Sequence, residues 1–140
     1  MKQKLFLDTN IIIDLLGERE PFYNLAAKIA SLADAGRIKI VISTLSFANV
    51  FYILSKFENQ EIVKEKIRKF KVITESSDLT EKIISKALNS KFADFEDALQ
   101  YYCAIQSNCN ILITRNAKDF KESNISVLSP KEFLASWKLH

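Results

Sequence analysis

Four aspartates stand where the pattern of the chain leaves them free to do chemistry. Asp8 follows a short apolar run, Asp94 and Asp97 open a helical pattern, and Asp119 lies three residues past Thr114-Arg115-Asn116. Carboxylates that converge repel one another. At about 5 Å and an effective dielectric of about 20, each pair costs roughly 3 kcal/mol. A divalent cation with hard oxygen ligands reverses that sign, which is why magnesium and manganese sites are built from carboxylates. The same ion can lower the pKa of a bound water and steady the leaving oxygen of a phosphodiester. The residue types therefore suit metal-assisted hydrolysis, although convergence alone does not single out a substrate.

Scarcity removes the competing chemistries. The only histidine is His140, the last residue, where fraying is expected. Histidine zinc sites, Ser-His-Asp triads and paired-histidine cleavage of RNA are thereby excluded. The two glycines, Gly17 and Gly36, each follow a helical pattern, where a left-handed C-cap is expected. Neither belongs to a phosphate-cradling loop or a dinucleotide fingerprint. Cys103 and Cys109 have the spacing of neither a zinc knuckle nor a redox Cys-x-x-Cys pair, and Cys103 reads as a packed thiol. Hydrolysis, if there is any, rests on carboxylates.

With 140 residues, 48% hydrophobic and 26% charged, the chain is expected to form one folded domain over residues 1–140. No apolar run approaches the roughly 20 residues of a membrane span. The first residues enter an apparent strand at once and leave no room for a signal peptide, so a cytoplasmic location without membrane contact is expected. A net charge of +3 permits a polyanionic partner without demanding one. The densest basic patch, Lys64, Lys66, Arg68, Lys69 and Lys71, reads as a solvated helix face.

Positioning these acids falls to alternating strands and helices. Short apolar runs at 4–7, 38–42 and 111–114 read as buried parallel strands, 71–74 as another, and 127–128 as a short fifth. Between them lie helical patterns at 11–16, from Pro21 to about 33, 44–56, 60–70, from a capping box at 78–81, 94–106, and from Pro130 onward. The fold expected is α/β, a three-layer α/β/α sandwich around a central parallel sheet. In such a fold the working edge lies at the carboxyl ends of the strands, where Asp8 and the turn after Thr114 would meet. At 100° per residue, Phe95, Ala98, Leu99, Tyr102 and Ile105 make the buried stripe of the helix from Asp94. Asp94, Asp97 and Tyr101 then share one flank and Glu96 takes the other. By position alone, Asp8 and Asp94 serve equally well as helix caps, and Asn116 and Asp119 as turn residues. In the helix from Ser43, Phe47, Val50, Phe51 and Leu54 form one stripe, but Leu45, Tyr52 and Ile53 lie off it. Such a helix is either deeply buried or covered by a second copy in a homodimer.

These residues also resemble a known family. The segment Leu7-Asp8-Thr9-Asn10-Ile11-Ile12-Ile13-Asp14, with Arg19-Glu20-Pro21-Phe22-Tyr23, resembles the opening of PIN-domain proteins, in particular a bacterial group near the VapC-type toxin ribonucleases. Ser43-Thr44-Leu45-Ser46-Phe47-Ala48-Asn49 resembles the second motif of that family. Ala93-Asp94-Phe95-Glu96-Asp97-Ala98-Leu99-Gln100 and Thr114-Arg115-Asn116-Ala117-Lys118-Asp119-Phe120 resemble the third and fourth. The order and spacing agree over nearly the whole chain.

The resemblance implies an endoribonuclease that uses Mg²⁺ or Mn²⁺. It maps the family's carboxylates onto Asp8 and Asp97, which would bind the ion and act in catalysis. Asp94 and Asp119 would assist or bind a second ion, and Asn49 and Asn116 would orient water or phosphate. Arg115 and Lys118 would hold the phosphates of the RNA flanking the cut, and an antitoxin would cover the pocket. Many such nucleases carry Glu where this chain has Asn49 and Asp where it has Asn116. Asn can bind a metal through its carbonyl oxygen but brings no charge. A second reading follows from that departure: a PIN-fold module that binds RNA or protein and cleaves weakly or not at all.

Overall fold

Side chains on a strand alternate between its faces, and here both faces are apolar, as a sheet covered on two sides requires. The structure, a computed structural model, describes residues 2–138; the expectation for His140 falls outside them. In chain order the elements are β1 (Lys4–Leu7), α1 (Thr9–Leu16), α2 (Tyr23–Asp34), β2 (Lys39–Ser43), α3 (Thr44–Leu54), α4 (Gln60–Val72), β3 (Glu75–Ser77), α5 (Glu81–Leu88), α6 (Phe95–Gln106), β4 (Ile111–Ile113), a 3-10 turn at Ala117–Phe120, β5 (Ser126–Leu128) and α7 (Pro130–Trp137).

The strands form one sheet in the order β3-β2-β1-β4-β5, and every pairing is parallel. Leu5, Leu7, Ile40, Ile42, Ile111 and Ile113 pack into one core with α1, α2, α3, α4 and α7. Phe6, Val41 and Leu112, one residue out of phase, pack into a second core with α5, α6 and Phe120. The expected three-layer α/β/α architecture is therefore present. Burying each such side chain contributes about 1.5–3 kcal/mol. Among the described residues no helix is long and apolar enough to cross a membrane.

Several local expectations are corrected. The third strand lies at Glu75–Ser77, not at 71–74, because Val63, Ile67, Phe70 and Ile73 continue one helical stripe into the core and carry α4 through to Val72. As an edge strand, β3 is held to β2 by its backbone and needs little apolar content. Gly36 does take the left-handed conformation, with φ of 75°, but Gly17 does not, at −88°. Gly17 is required by crowding, since a Cβ there would stand 2.8 Å from the Ile13 carbonyl oxygen and 2.9 Å from Leu54 Cδ2. Helix α2 starts two residues after Pro21, which lies in the preceding turn, and α5 is capped by Thr80 rather than Asp78. Cys103 and Cys109 are both buried free thiols.

From β1 the chain crosses to β2 on one side and later returns to β4 on the other. Parallel sheets of this kind leave a crevice where the strand order reverses, outside the carboxyl ends of the two strands concerned. Those strands are β1 and β4. The residues that follow them are Asp8 and Thr114.

Candidate active site

Asp8 occupies the N-cap position of α1, with extended backbone angles, yet its side chain makes no capping hydrogen bond. The carboxylate is instead taken up by the neighbouring strand: Thr114 Oγ1 donates to Asp8 Oδ2 at 2.8 Å. Both residues are buried, Asp8 at 5% exposure and Thr114 at 1%. The Asn116 amide donates to Thr114 Oγ1 at 3.1 Å, so the hydroxyl is oriented from both sides. Burial pushes the Asp8 carboxyl up from the usual carboxylate range, while Thr114 first, then Gln100 and the nearby amides of Thr9 and Asn10, oppose the rise as polar neighbours. Gln100 lies on α6 and ties the two sides of the crevice together, accepting from the Thr9 amide at 3.0 Å. The Thr9 hydroxyl pairs with Ser46 of α3 at 2.8 Å.

Helix α6 brings the other acids. Asp94 caps it by accepting from the Asp97 amide at 2.9 Å, so it serves as a cap and lines the crevice at once. Burial along α6 begins only at Ala98, and its first turn overhangs the core. Phe95, expected in the buried stripe, is accordingly 46% exposed, whereas Tyr101, expected on the flank, is buried. Glu96, expected to point away from the site, reaches the same crevice and accepts a hydrogen bond from Asn49 Nδ2 at 3.0 Å. A helical wheel misplaces residues here because it assumes a buried face along the whole helix, whereas the first turn of α6 has none.

The crevice has a volume of about 500 Å³ and is lined by Asp8, Asp94, Glu96 and Asp97 on its acidic side. Asp97 is half-buried, and its carboxyl is pushed up to about 7, first by burial and then by the charges of Asp94, Asp8, Asp119 and Glu96. Glu96 is raised as well, by burial first and then by Asp94 and Asp8. First-turn acids do favour a helix N-terminus through its dipole. That accounts for their tolerance on α6 but not for Asp8, which lies on another element. Among the described residues, no three His, Cys, Asp or Glu side chains already meet closely enough to hold a metal ion. The donor set is nonetheless of hard oxygens: four carboxylates, the Asn49 and Gln100 amides and the Thr9 hydroxyl.

The residues after β4 are placed differently. Asn116, Lys118 and Asp119 are exposed in the turn and do not line the crevice, although the charge of Asp119 is felt at Asp97. Arg115 turns to Asp14, its Nε 2.8 Å from Oδ2 and its Nη2 3.3 Å from Oδ1, and lies 3.7 Å over the Phe22 ring. Arg19 joins from the other side, Nη2 to Asp14 Oδ1 at 2.8 Å. Asp14 is thus 1% exposed between two guanidinium groups, and the pair with Arg115 ties α1 to the turn that carries Thr114 and Asn116.

A sequence model of the PIN domain matches residues 4–118 of this chain. The chain is 29% identical over 139 residues, 96% of each protein, to Ribonuclease VapC1 of Aquifex aeolicus (strain VF5). Its structure is similar to VapBC2 from Rickettsia felis bound to a DNA fragment from their promoter, with a TM-score of 0.67 and 24% identity, covering 91% of this chain and 98% of that one. A toxin-antitoxin complex from Klebsiella pneumoniae is similar as well, with a TM-score of 0.68 and 25% identity over 90% of this chain and 97% of that one.

Proposed function

Because this chain belongs to the PIN-domain family, we propose that it is a divalent-metal-dependent endoribonuclease that hydrolyses RNA phosphodiester bonds, and the toxin of a toxin-antitoxin pair. One observation carries the reading: carboxylates from separate elements, Asp8 after β1 and Asp97 on α6, line one crevice, and the charge of Asp8 helps to raise the Asp97 carboxyl. The relatives support the rest, one being named a ribonuclease and one a toxin-antitoxin complex. A cytoplasmic location accords with both.

Asp8 and Asp97 would hold the ion, Mg²⁺ or Mn²⁺, with Asp94 and Asp119 assisting or holding a second. When bound, such an ion supplies positive charge and Lewis acidity in the crevice. The chain's own groups do the positioning. Thr114 and Gln100 fix the Asp8 carboxylate, and Thr9, held by Ser46, fixes Gln100. Asn49 brings no charge of its own but holds Glu96, which returns a carboxylate to that corner of the site. Asn116 orients Thr114. Lys118 would meet the phosphates flanking the cut, while Arg115 shares its charge with Asp14 and acts mainly on the turn.

The reading is tested with purified protein and a single-stranded RNA, in Mn²⁺ or Mg²⁺ and in chelator. Cleavage should require the ion and fall about a hundredfold or more in Asp8→Asn and Asp97→Asn, at least the upper range seen when a group behind a metal ligand is lost. Cleavage that persists in chelator, or that both variants retain, defeats it. RNA binding without cleavage would leave the weakly cleaving binding module in its place.

A further inference from the structure

The crevice has a second wall of which the proposed hydrolysis uses only Asn49. Asn49, Tyr52, Ile53 and Lys56 recur at helical spacing and present one face of α3, continuing past its C-terminal end, to the same cavity. Tyr52 is 66% exposed, whereas Val50 and Leu54 beside it on the helix are buried and Phe47 and Phe51 pack against the core. Lys56 Nζ lies 4.5 Å from the centroid of the Tyr52 ring. Among the described residues Lys56 makes no ion pair, and it is the cavity's sole lining cation.

A polyanion entering this crevice meets four carboxylates, so its phosphates need a cation beyond any ion those acids hold. Single-stranded nucleic acid is held elsewhere by this pairing: an aromatic ring on which a base stacks, and a basic group for the adjoining phosphate. We propose that Tyr52 and Lys56 form a nucleotide subsite, with a base stacked on Tyr52 and its phosphate on Lys56, which leads the RNA strand toward Asp8 and Asp97. The subsite rests on the ribonuclease reading and adds to it the wall along which the strand enters. A second copy of the chain is the competing occupant. A single-stranded RNA is favoured because the wall is amide, phenol and ammonium as much as aliphatic, and is continuous with the carboxylates.

The test measures fluorescence anisotropy of a labelled uridine octamer and of an abasic chain of equal length, at low ionic strength in chelator so that turnover is excluded. Tyr52→Leu should weaken uridine binding about fivefold or more, Tyr52→Phe should retain it, and the abasic chain should be indifferent to both. Lys56→Ala should weaken both chains and reduce the salt slope by about 0.7. Because both side chains are solvent-facing, circular dichroism should show the variants folded. Uridine affinity unchanged in Tyr52→Leu and Lys56→Ala overturns the subsite. So does a change of sedimentation from dimer to monomer at constant RNA affinity, which would make the wall a contact between copies. Wild-type protein that cleaves RNA while both variants keep its KM removes the subsite alone, whereas wild-type protein that neither binds nor cleaves RNA removes the ribonuclease reading with it.

Discussion

Asp8 and Asp14 lie six residues apart at the two ends of a turn and a half of α1, both almost wholly buried, and their surroundings are opposite. Asp14 has its counterions inside the protein: Arg19 and Arg115 grip it from the segments on either side. Asp8 is held only by neutral donors and faces three further acids across the crevice. A buried carboxylate with its cation built in needs nothing more. A buried carboxylate without one leaves an electrostatic demand that something from outside must meet. The contrast separates an acid that holds the fold together from an acid held by the fold, and it does so without reference to reaction.

The sharpest test of that contrast is the pair of truncations. Asp14→Ala should cost about 3 kcal/mol of unfolding free energy in urea, the low end for removing one partner of a buried ion pair, because the two guanidinium groups left behind are partly solvated. Asp8→Asn, measured the same way in chelator, should cost far less or stabilise, since it removes repulsion from the acidic wall. Equal losses would erase the distinction.

Next in size is the ion. At a hundredfold excess over its dissociation constant, Mn²⁺ should stabilise the protein by about 2.7 kcal/mol, seen as a raised melting temperature. Asp8→Asn should abolish the rise while Asp14→Asn keeps it. A rise of equal size in Asp8→Asn would put the ion elsewhere.

Thr114→Val probes how Asp8 is held. Loss of the 2.8 Å hydrogen bond should cost about 1.5 kcal/mol, the low end for a bond to a charged group, and should raise the Asp8 carboxyl further. Unchanged stability together with an unchanged Asp8 titration by NMR would make the hydroxyl incidental.

The smallest effect is on pH dependence. The Asp97 carboxyl is raised in the folded protein from 3.8 to about 7. The stability this contributes is complete below the unfolded value and is lost as pH rises through the folded one. Without metal, the melting temperature should therefore decline from about pH 4 to pH 8, modestly because Asp97 is half solvated. Asp97→Asn should flatten the decline, and saturating Mn²⁺ should reverse it. A stability that climbs over this range in chelator contradicts the picture of mutually repelling acids.

Much of this arrangement was legible in the sequence, and the gaps have physical causes. The runs in β1, β2 and β4 read as buried strands because both faces of a covered sheet are apolar, which puts Asp8 at the edge, while the helical pattern at 94–106 puts Asp94 and Asp97 on one flank of α6. Strand β3 could not be read, since Glu75-Ser76-Ser77 pairs through its backbone at the sheet edge. Glu96 falls on the wrong side of a helical wheel, which cannot show that the first turn of α6 is exposed and opens onto the crevice. Arg115 was read as a free cation because its partner, Asp14, lies 101 residues earlier, and nothing local announces the pairing. Thr114 and Gln100 were invisible for a related reason: neutral side chains show their use only once the strands and helices they connect are in place.

The hydrogen bond from Thr114 to Asp8 joins residues 106 apart in the chain, between the central strand and a neighbour made much later. Contacts of such long sequence separation form late, since a large loop must close before they gain anything. During synthesis β1 leaves the ribosome long before β4, and its β4 side stays unpaired until Ile111–Ile113 follows. Until then the nascent chain carries an unshielded apolar strand and an Asp8 with no hydroxyl to hold it, a state exposed to misassembly. The crevice is therefore not in finished form until β4 has paired with β1. For a protein proposed to cut RNA, that order delays the cutting edge until β4 has followed β1 out of a machine built of RNA.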